Sequence, residues 1–113
     1  MLKIAIILFL LAAVGGLIMA LRIFKGRKPP AALAVIHGVV AATALVLVLL
    51  LVIGGGAHAA LVYGAVILVV AALGGFFLLT FHLRGAPHPK AVVVLHAVLA
   101  VVGVACLLVA AFA

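Results

Sequence analysis

The feature that most constrains this chain is a series of apolar runs, each longer than the ~18 residues that identify a membrane-spanning helix. The 113-residue sequence contains no Asp, Glu, Asn, Gln, Ser or Trp, and 73% of it is hydrophobic. A water-soluble domain needs charged and amide side chains to cover its surface, and this composition does not supply them. The sequence therefore predicts an all-α integral membrane protein.

Short breaks divide the chain into four predicted helices. We expect them to run from Leu2 to Phe24, Pro30 to Ile53, His58 to Leu83, and Pro89 to the C-terminus. The run Gly54-Gly55-Gly56 separates the second span from the third. The second and fourth spans begin at proline, which is tolerated at a helix start because its missing N–H would be unpaired there anyway. We expect one domain, residues 1–113, folded as an up-down transmembrane four-helix bundle.

The net charge of +7 is concentrated at the predicted helix ends rather than spread along the chain. Six of the seven cations are Arg22, Lys25, Arg27, Lys28, Arg84 and Lys90. This distribution is typical of cytoplasmic loops, so we expect a multi-pass cytoplasmic-membrane protein with both termini outside. The cations indicate anionic lipid headgroups as partners and argue against nucleic acid. Because cations follow the first span, we expect it to be retained rather than cleaved as a signal peptide.

The two halves of the chain repeat each other. A shift of 59 residues aligns them without a gap, and the matched residues are not the common aliphatic ones. The matches are Gly15-Gly16 with Gly74-Gly75, Gly26 with Gly85, Pro30 with Pro89, and His37 with His96. We therefore expect two parallel-repeat helical hairpins, residues 1–56 and 57–113, related by a pseudo-two-fold axis along the membrane normal.

The repeat predicts that two histidines face each other at the same depth. His37 and His96 each lie seven residues after a proline that begins a helix, which is roughly 10 Å along the helix axis. The two glycine pairs fall about 13 Å from the same end on the other two helices, so all six residues share one layer. We expect the second nitrogen of each imidazole to bond the carbonyl one turn back, that of Leu33 or Val92.

This layer suits a flat group bound on both faces by nitrogen, and haem b is the candidate. Bis-imidazole ligation would make His37 and His96 the metal ligands. Glycine backbones (Gly15, Gly16, Gly74, Gly75) would pass the porphyrin edge, and propionates would meet cations at the basic end, among them Arg22, Lys25, Arg84 and Lys90. Two alternatives remain open: histidine and glycine serving only helix packing, and a bare metal, for which zinc normally takes three or four ligands.

The other histidines, His58, His82 and His88, have no counterparts in the repeat. His58 begins the third span at the opposite end and has no predicted partner, which limits the expectation to one haem per chain. His82 and His88 lie at the basic end, where headgroup contact is the simplest interpretation. A position beside a propionate or a quinone carbonyl is the alternative for these two.

With His37, His96 and the glycine pairs in place, the chain resembles the small four-helix b-type membrane cytochromes. That group includes bacterial quinone-linked superoxide oxidases and ascorbate-reducible cytochromes. The resemblance covers the whole chain in architecture and implies electron transfer through haem, with quinone or a redox protein as partner. Those families generally hold two haems on four histidines, whereas this chain offers one symmetric pair.

Two other classes of function compete with an electron carrier. Small multidrug exporters have this length and four spans, but they depend on a glutamate within the membrane, and this chain has none. A structural membrane subunit without a cofactor is the third class. A haem spectrum separates the first class from the other two.

Overall fold

A computed structural model describes residues 1–55 and 58–113. It contains four helices: α1 (Leu2–Phe24), α2 (Ala31–Ile53), α3 (Ala59–Leu83) and α4 (Lys90–Phe112). The described residues include no strand, so the all-α prediction is confirmed. The predicted bounds of α1 are correct, and the other three helices begin one residue later than predicted. Pro30, His58 and Pro89 occupy the cap position just before the helix rather than its first turn.

Each of the four helices is long and apolar enough to cross a membrane. A helix of 23 residues, the length of α1, α2 and α4, spans about 35 Å, and the hydrocarbon core of a bilayer is about 30 Å thick. The molecule measures 42 Å along its longest axis. The dimensions therefore match a bundle that crosses the bilayer four times.

The helices form two hairpins that pack side by side. α1 packs extensively on α2 and α3 on α4, whereas the contacts of α1 with α4 and of α2 with α3 are much smaller. α1 and α3 lie on one diagonal of the bundle, and α2 and α4 lie on the other. This arrangement confirms the predicted up-down four-helix bundle.

The same turn ends the first helix of each hairpin. The amide of Arg27 donates to the carbonyl of Arg22 at 2.8 Å, and the amide of Ala86 donates to that of Phe81 at 3.0 Å. Gly26 and Gly85 adopt φ of 72° and 65°, which is the left-handed conformation that such helix-ending turns require. At the other end, Gly54 and Gly55 form the turn after α2. The third glycine of that break, Gly56, and the boundary between residues 56 and 57 lie outside the described residues.

The apolar core is concentrated at the end of the bundle away from the basic loops. Its buried members lie in the first half of α1 and α3 and the last half of α2 and α4: Ala5, Ile6, Phe9, Ala44, Val48, Leu61, Ala65, Leu68 and Leu107. Repeat-related positions are buried alike but differ in size, as in Phe9 with Leu68 and Val48 with Leu107. The histidine layer lies in the other half, nearer the basic loops.

Gly103 provides a test of this packing. A Cβ at Gly103 would lie 2.6 Å from Leu68 Cγ, whereas a Cβ at Gly38 would meet nothing within 4 Å. We expect Gly103→Leu to lower the free energy of unfolding by roughly 1–3 kcal/mol, because overpacking must separate α3 from α4. Gly38→Leu is the matched control: it adds the same side chain in open space and replaces a glycine inside a helix, so it should not lower the free energy of unfolding. Denaturant titration in detergent micelles measures both; equal effects would contradict the tight α3–α4 contact.

Candidate cofactor site between the hairpins

Two histidines are each tied to the backbone of the neighbouring helix. Nδ1 of His37 lies 2.7 Å from the carbonyl oxygen of Ala12, and Nδ1 of His96 lies 2.7 Å from that of Ala71. A carbonyl can only accept, so in both residues the Nδ1–H donates. The remaining nitrogen, Nε2, then carries a free lone pair in the neutral ring. This is the tautomer in which a histidine can bind a metal through Nε2.

The identity of these acceptors corrects the sequence prediction. We expected the carbonyls of Leu33 and Val92, which lie within the histidines' own helices. The observed acceptors, Ala12 and Ala71, lie on α1 and α3. Ala12 and Ala71 also lie inside helices, so each imidazole donates to the second lone pair of a carbonyl that already accepts a helix amide. The glycine pairs beside the rings direct the imidazoles toward these helices rather than back along their own. The hydrogen bond thus joins the two helices of each hairpin.

The glycine pairs make this approach possible. A Cβ at Gly16 would lie 3.0 Å from Cε1 of His37, and one at Gly75 would lie 3.1 Å from Cε1 of His96. At Gly15 and Gly74 the nearest atoms would be 3.4 Å or more away, which is ordinary contact. The structure therefore places both pairs against the imidazole of their own repeat. Gly16 and Gly75 lie over the ring itself.

The two imidazoles meet across the α2–α4 diagonal. Their ring centroids are 6.3 Å apart and their planes are inclined by 76°. A metal bound to an imidazole nitrogen at ~2 Å lies about 3 Å from the ring centre, so two rings on opposite sides of one metal are about 6 Å apart. The separation of His37 and His96 fits bis-histidine ligation of a single metal centre.

The donor set fits haem better than a bare metal. Among residues 1–55 and 58–113, no group of three or more histidine, cysteine or acidic side chains is placed to hold an ion. Zinc sites in proteins need three or four protein ligands. A haem iron takes four equatorial nitrogens from the porphyrin and needs only two axial ligands from the protein.

The cations expected near this site are exposed at the basic end. Lys90 Nζ lies 5.8 Å from the centre of the Phe24 ring, which brings α4 and the end of α1 together. The Arg84 guanidinium lies 4.6 Å from the centre of the Phe81 ring, and its Nε donates to the Thr80 carbonyl. Arg22 and Lys25 are exposed at the same end. None of these cations has a carboxylate to pair with, because the chain contains none.

The three remaining histidines have environments that the sequence did not reveal. His58 caps α3, with its Nδ1 accepting the amide of Ala60 at 3.1 Å. His82 and His88 face each other, their ring centroids 6.1 Å apart. Burial and the nearby His82 and Lys28 lower the pKa of His88, since each of them disfavours its charged form. The six-residue separation across a turn was the only available hint of this pair.

Comparisons with protein-family models, with curated proteins and with solved structures found no match for the chain. The assignment of the site therefore depends on the geometry of its own residues.

The difference between the two glycines of each pair can be tested directly. We expect Gly16→Ala and Gly75→Ala to displace the imidazole and weaken its Nδ1–H bond, because the added methyl contacts a ring that the bond holds in place. Gly15→Ala and Gly74→Ala are the controls and should leave the bond intact. Nitrogen NMR of histidine-labelled protein reports the Nδ1 environment. Equal spectra for all four variants would contradict the contact described here.

Proposed function

We propose that this chain is a membrane b-type cytochrome that holds one haem b between His37 and His96 and transfers electrons. When bound, the haem supplies a one-electron redox couple within the bilayer. The alternatives are a small transporter without a cofactor and a structural subunit. The hydrogen bond from each histidine to the neighbouring helix would serve a structural subunit equally well, whereas the approach of the two imidazoles across the diagonal favours the cytochrome.

One observation carries this proposal: two symmetry-related imidazoles face each other with their Nδ1–H groups already bonded to carbonyls. That bond orients each ring, selects the neutral tautomer and makes Nε2 more basic toward a metal. A histidine serving only to join helices would gain nothing from a second imidazole at 6.3 Å across the diagonal.

The packing of the two hairpins also supports insertion of a flat group. The hairpins are held to each other mainly at the opposite end, where the buried core lies. Over the whole length of the helices, the extensive contacts are those within each hairpin. A planar ring can therefore separate α2 from α4 at the histidines without dismantling the core.

The charge distribution supports an orientation and a class of electron partner. By the positive-inside tendency, the basic end faces the cytoplasm and both termini lie outside. The histidine layer is roughly 10 Å from that end, so electrons would enter or leave there. A membrane quinone or a redox partner protein is the expected partner. The exposed cations Arg22, Lys25, Arg84 and Lys90 would neutralise haem propionates at the same end.

The cofactor is tested by the spectrum of the purified protein. We expect a sharp Soret band and one non-covalent haem b per chain by pyridine haemochrome, low-spin in both redox states. Covalent attachment is not expected because the sequence has no Cys-x-x-Cys-His motif. A ratio near two haems per chain would contradict the single site, and a colourless protein after expression with ample haem would contradict the proposal.

Ligation is tested by single substitutions. We expect His37→Ala and His96→Ala each to abolish the low-spin spectrum, and to a similar degree, because the two residues have matching environments. His58→Ala is the control, since His58 caps α3 at the other end, and it should leave the spectrum unchanged. The proposal fails if His58→Ala removes the haem while His37→Ala retains it.

A further inference from the structure

Among residues 1–55 and 58–113, the His82–His88 pair is the polar cluster that the proposed site does not use. Both side chains are half-buried, and they lie between the end of α3 and the start of α4. The corresponding residues of the first repeat are Ile23 and Pro29. The pair therefore breaks the symmetry of the molecule at its basic end, and on one hairpin only.

The position of the pair couples it electrostatically to the candidate haem site. His88 lies two residues before the start of α4, and His96 lies in the second turn of the same helix. The distance along the bundle axis between these two side chains is about 10 Å. At that separation, and at an effective dielectric constant of ~20, one added electron changes proton affinity about tenfold.

The composition leaves few other side chains that could bind a proton when an electron is added to the site. The chain has no Asp or Glu, and Lys and Arg stay protonated throughout the physiological range. His58 and the N-terminus lie at the opposite end of the bundle. At the basic end, the histidines outside the candidate haem site are His82 and His88, and histidine is the side-chain type whose charge ordinarily changes between about pH 5 and 8.

The groups around His88 favour its neutral form before an electron arrives. His82 faces it from α3 and Lys28 from the turn between α1 and α2. Arg84 and Lys90 belong to the same end but are directed toward Phe81 and Phe24. No acidic side chain faces His88 from any helix, because the chain has no Asp or Glu.

We propose that His88, with His82 beside it, is a redox-linked proton acceptor on the cytoplasmic side, an inference that rests on the proposed function. One electron, from a quinol or another donor, enters the site between His37 and His96. One proton from the aqueous phase then bonds to the unprotonated ring nitrogen of His88. On oxidation the proton affinity falls again and the proton is released; with a tenfold difference in affinity, at most about half a proton accompanies each electron.

The charges of the added electron and of protonated His88 determine how the midpoint potential changes with pH. An added electron favours protonated His88, so the reduced protein binds this proton about tenfold more tightly than the oxidised protein. The midpoint potential should fall with rising pH between the two titrations and level off below and above them. Burial, His82 and Lys28 lower the pKa of His88, which moves this window toward lower pH.

The test is potentiometric titration of the purified full-length protein at several values from about pH 5 to 9. His88→Gln should remove most of the pH dependence while keeping the low-spin spectrum. His82→Gln should retain the dependence and move it to higher pH, because a neighbour that disfavours the charged form of His88 is gone. His58→Gln is the matched control and should behave as wild type. Unchanged pH dependence in His88→Gln would overturn the inference.

A second measurement does not depend on the variants. NMR of histidine-labelled protein follows the His88 ring against pH in the oxidised and the reduced states. We expect proton binding to tighten about tenfold on reduction, and identical titrations in the two states would overturn the inference. A wild-type protein without haem would overturn the proposed function as well, whereas haem with a potential independent of His88 would overturn this inference alone.

Discussion

The hydrogen bond from histidine to a carbonyl of the neighbouring helix is the interaction on which the rest of this structure depends. Within a bilayer, an unpaired polar group costs several kcal/mol, of order 2–7, and this chain has no carboxylate or amide side chain to act as partner. The backbone is the remaining acceptor. Reaching it requires two helices to approach closely, and the missing Cβ of Gly16 and of Gly75 leaves room for the imidazole there. In each repeat, the histidine, the carbonyl and the glycine over the ring therefore act together.

Because the histidine, carbonyl and glycine occur once in each repeat, the molecule has two matching imidazoles rather than one. The bonds of His37 to Ala12 and of His96 to Ala71 have the same length, and the glycines lie over the two rings at nearly the same distance. Two equivalent imidazoles thus face each other across one diagonal, each with a free Nε2. The two repeats match less closely in the apolar core at the other end, because equivalent positions there hold side chains of different size. Apolar packing tolerates such differences in side-chain volume. Two histidines that bind one metal would need imidazole rings in matched orientations.

The two ends of the bundle divide their roles. The end away from the basic loops holds the hairpins together through a buried core. The basic end holds the histidine layer, the exposed cations and the His82–His88 pair. Stability and the candidate chemistry are therefore separated along the membrane normal. This separation keeps the proposed haem site away from the core, and it places the exposed cations and the His82–His88 pair at one end of the bundle.

The sequence by itself determined the features that depend on local physics. Hydropathy and proline positions predicted the four helices to within one residue, and helix rise placed His37, His96 and the glycine pairs in one layer. The tertiary structure decided what each side chain touches: the acceptors Ala12 and Ala71, the imidazole beside each glycine pair, and the approach of His82 to His88. The spacing along one helix fixes depth in the membrane, but it carries no information about rotation against a neighbour. That rotation is set by side-chain packing between helices, which a single apolar sequence does not encode in a readable pattern.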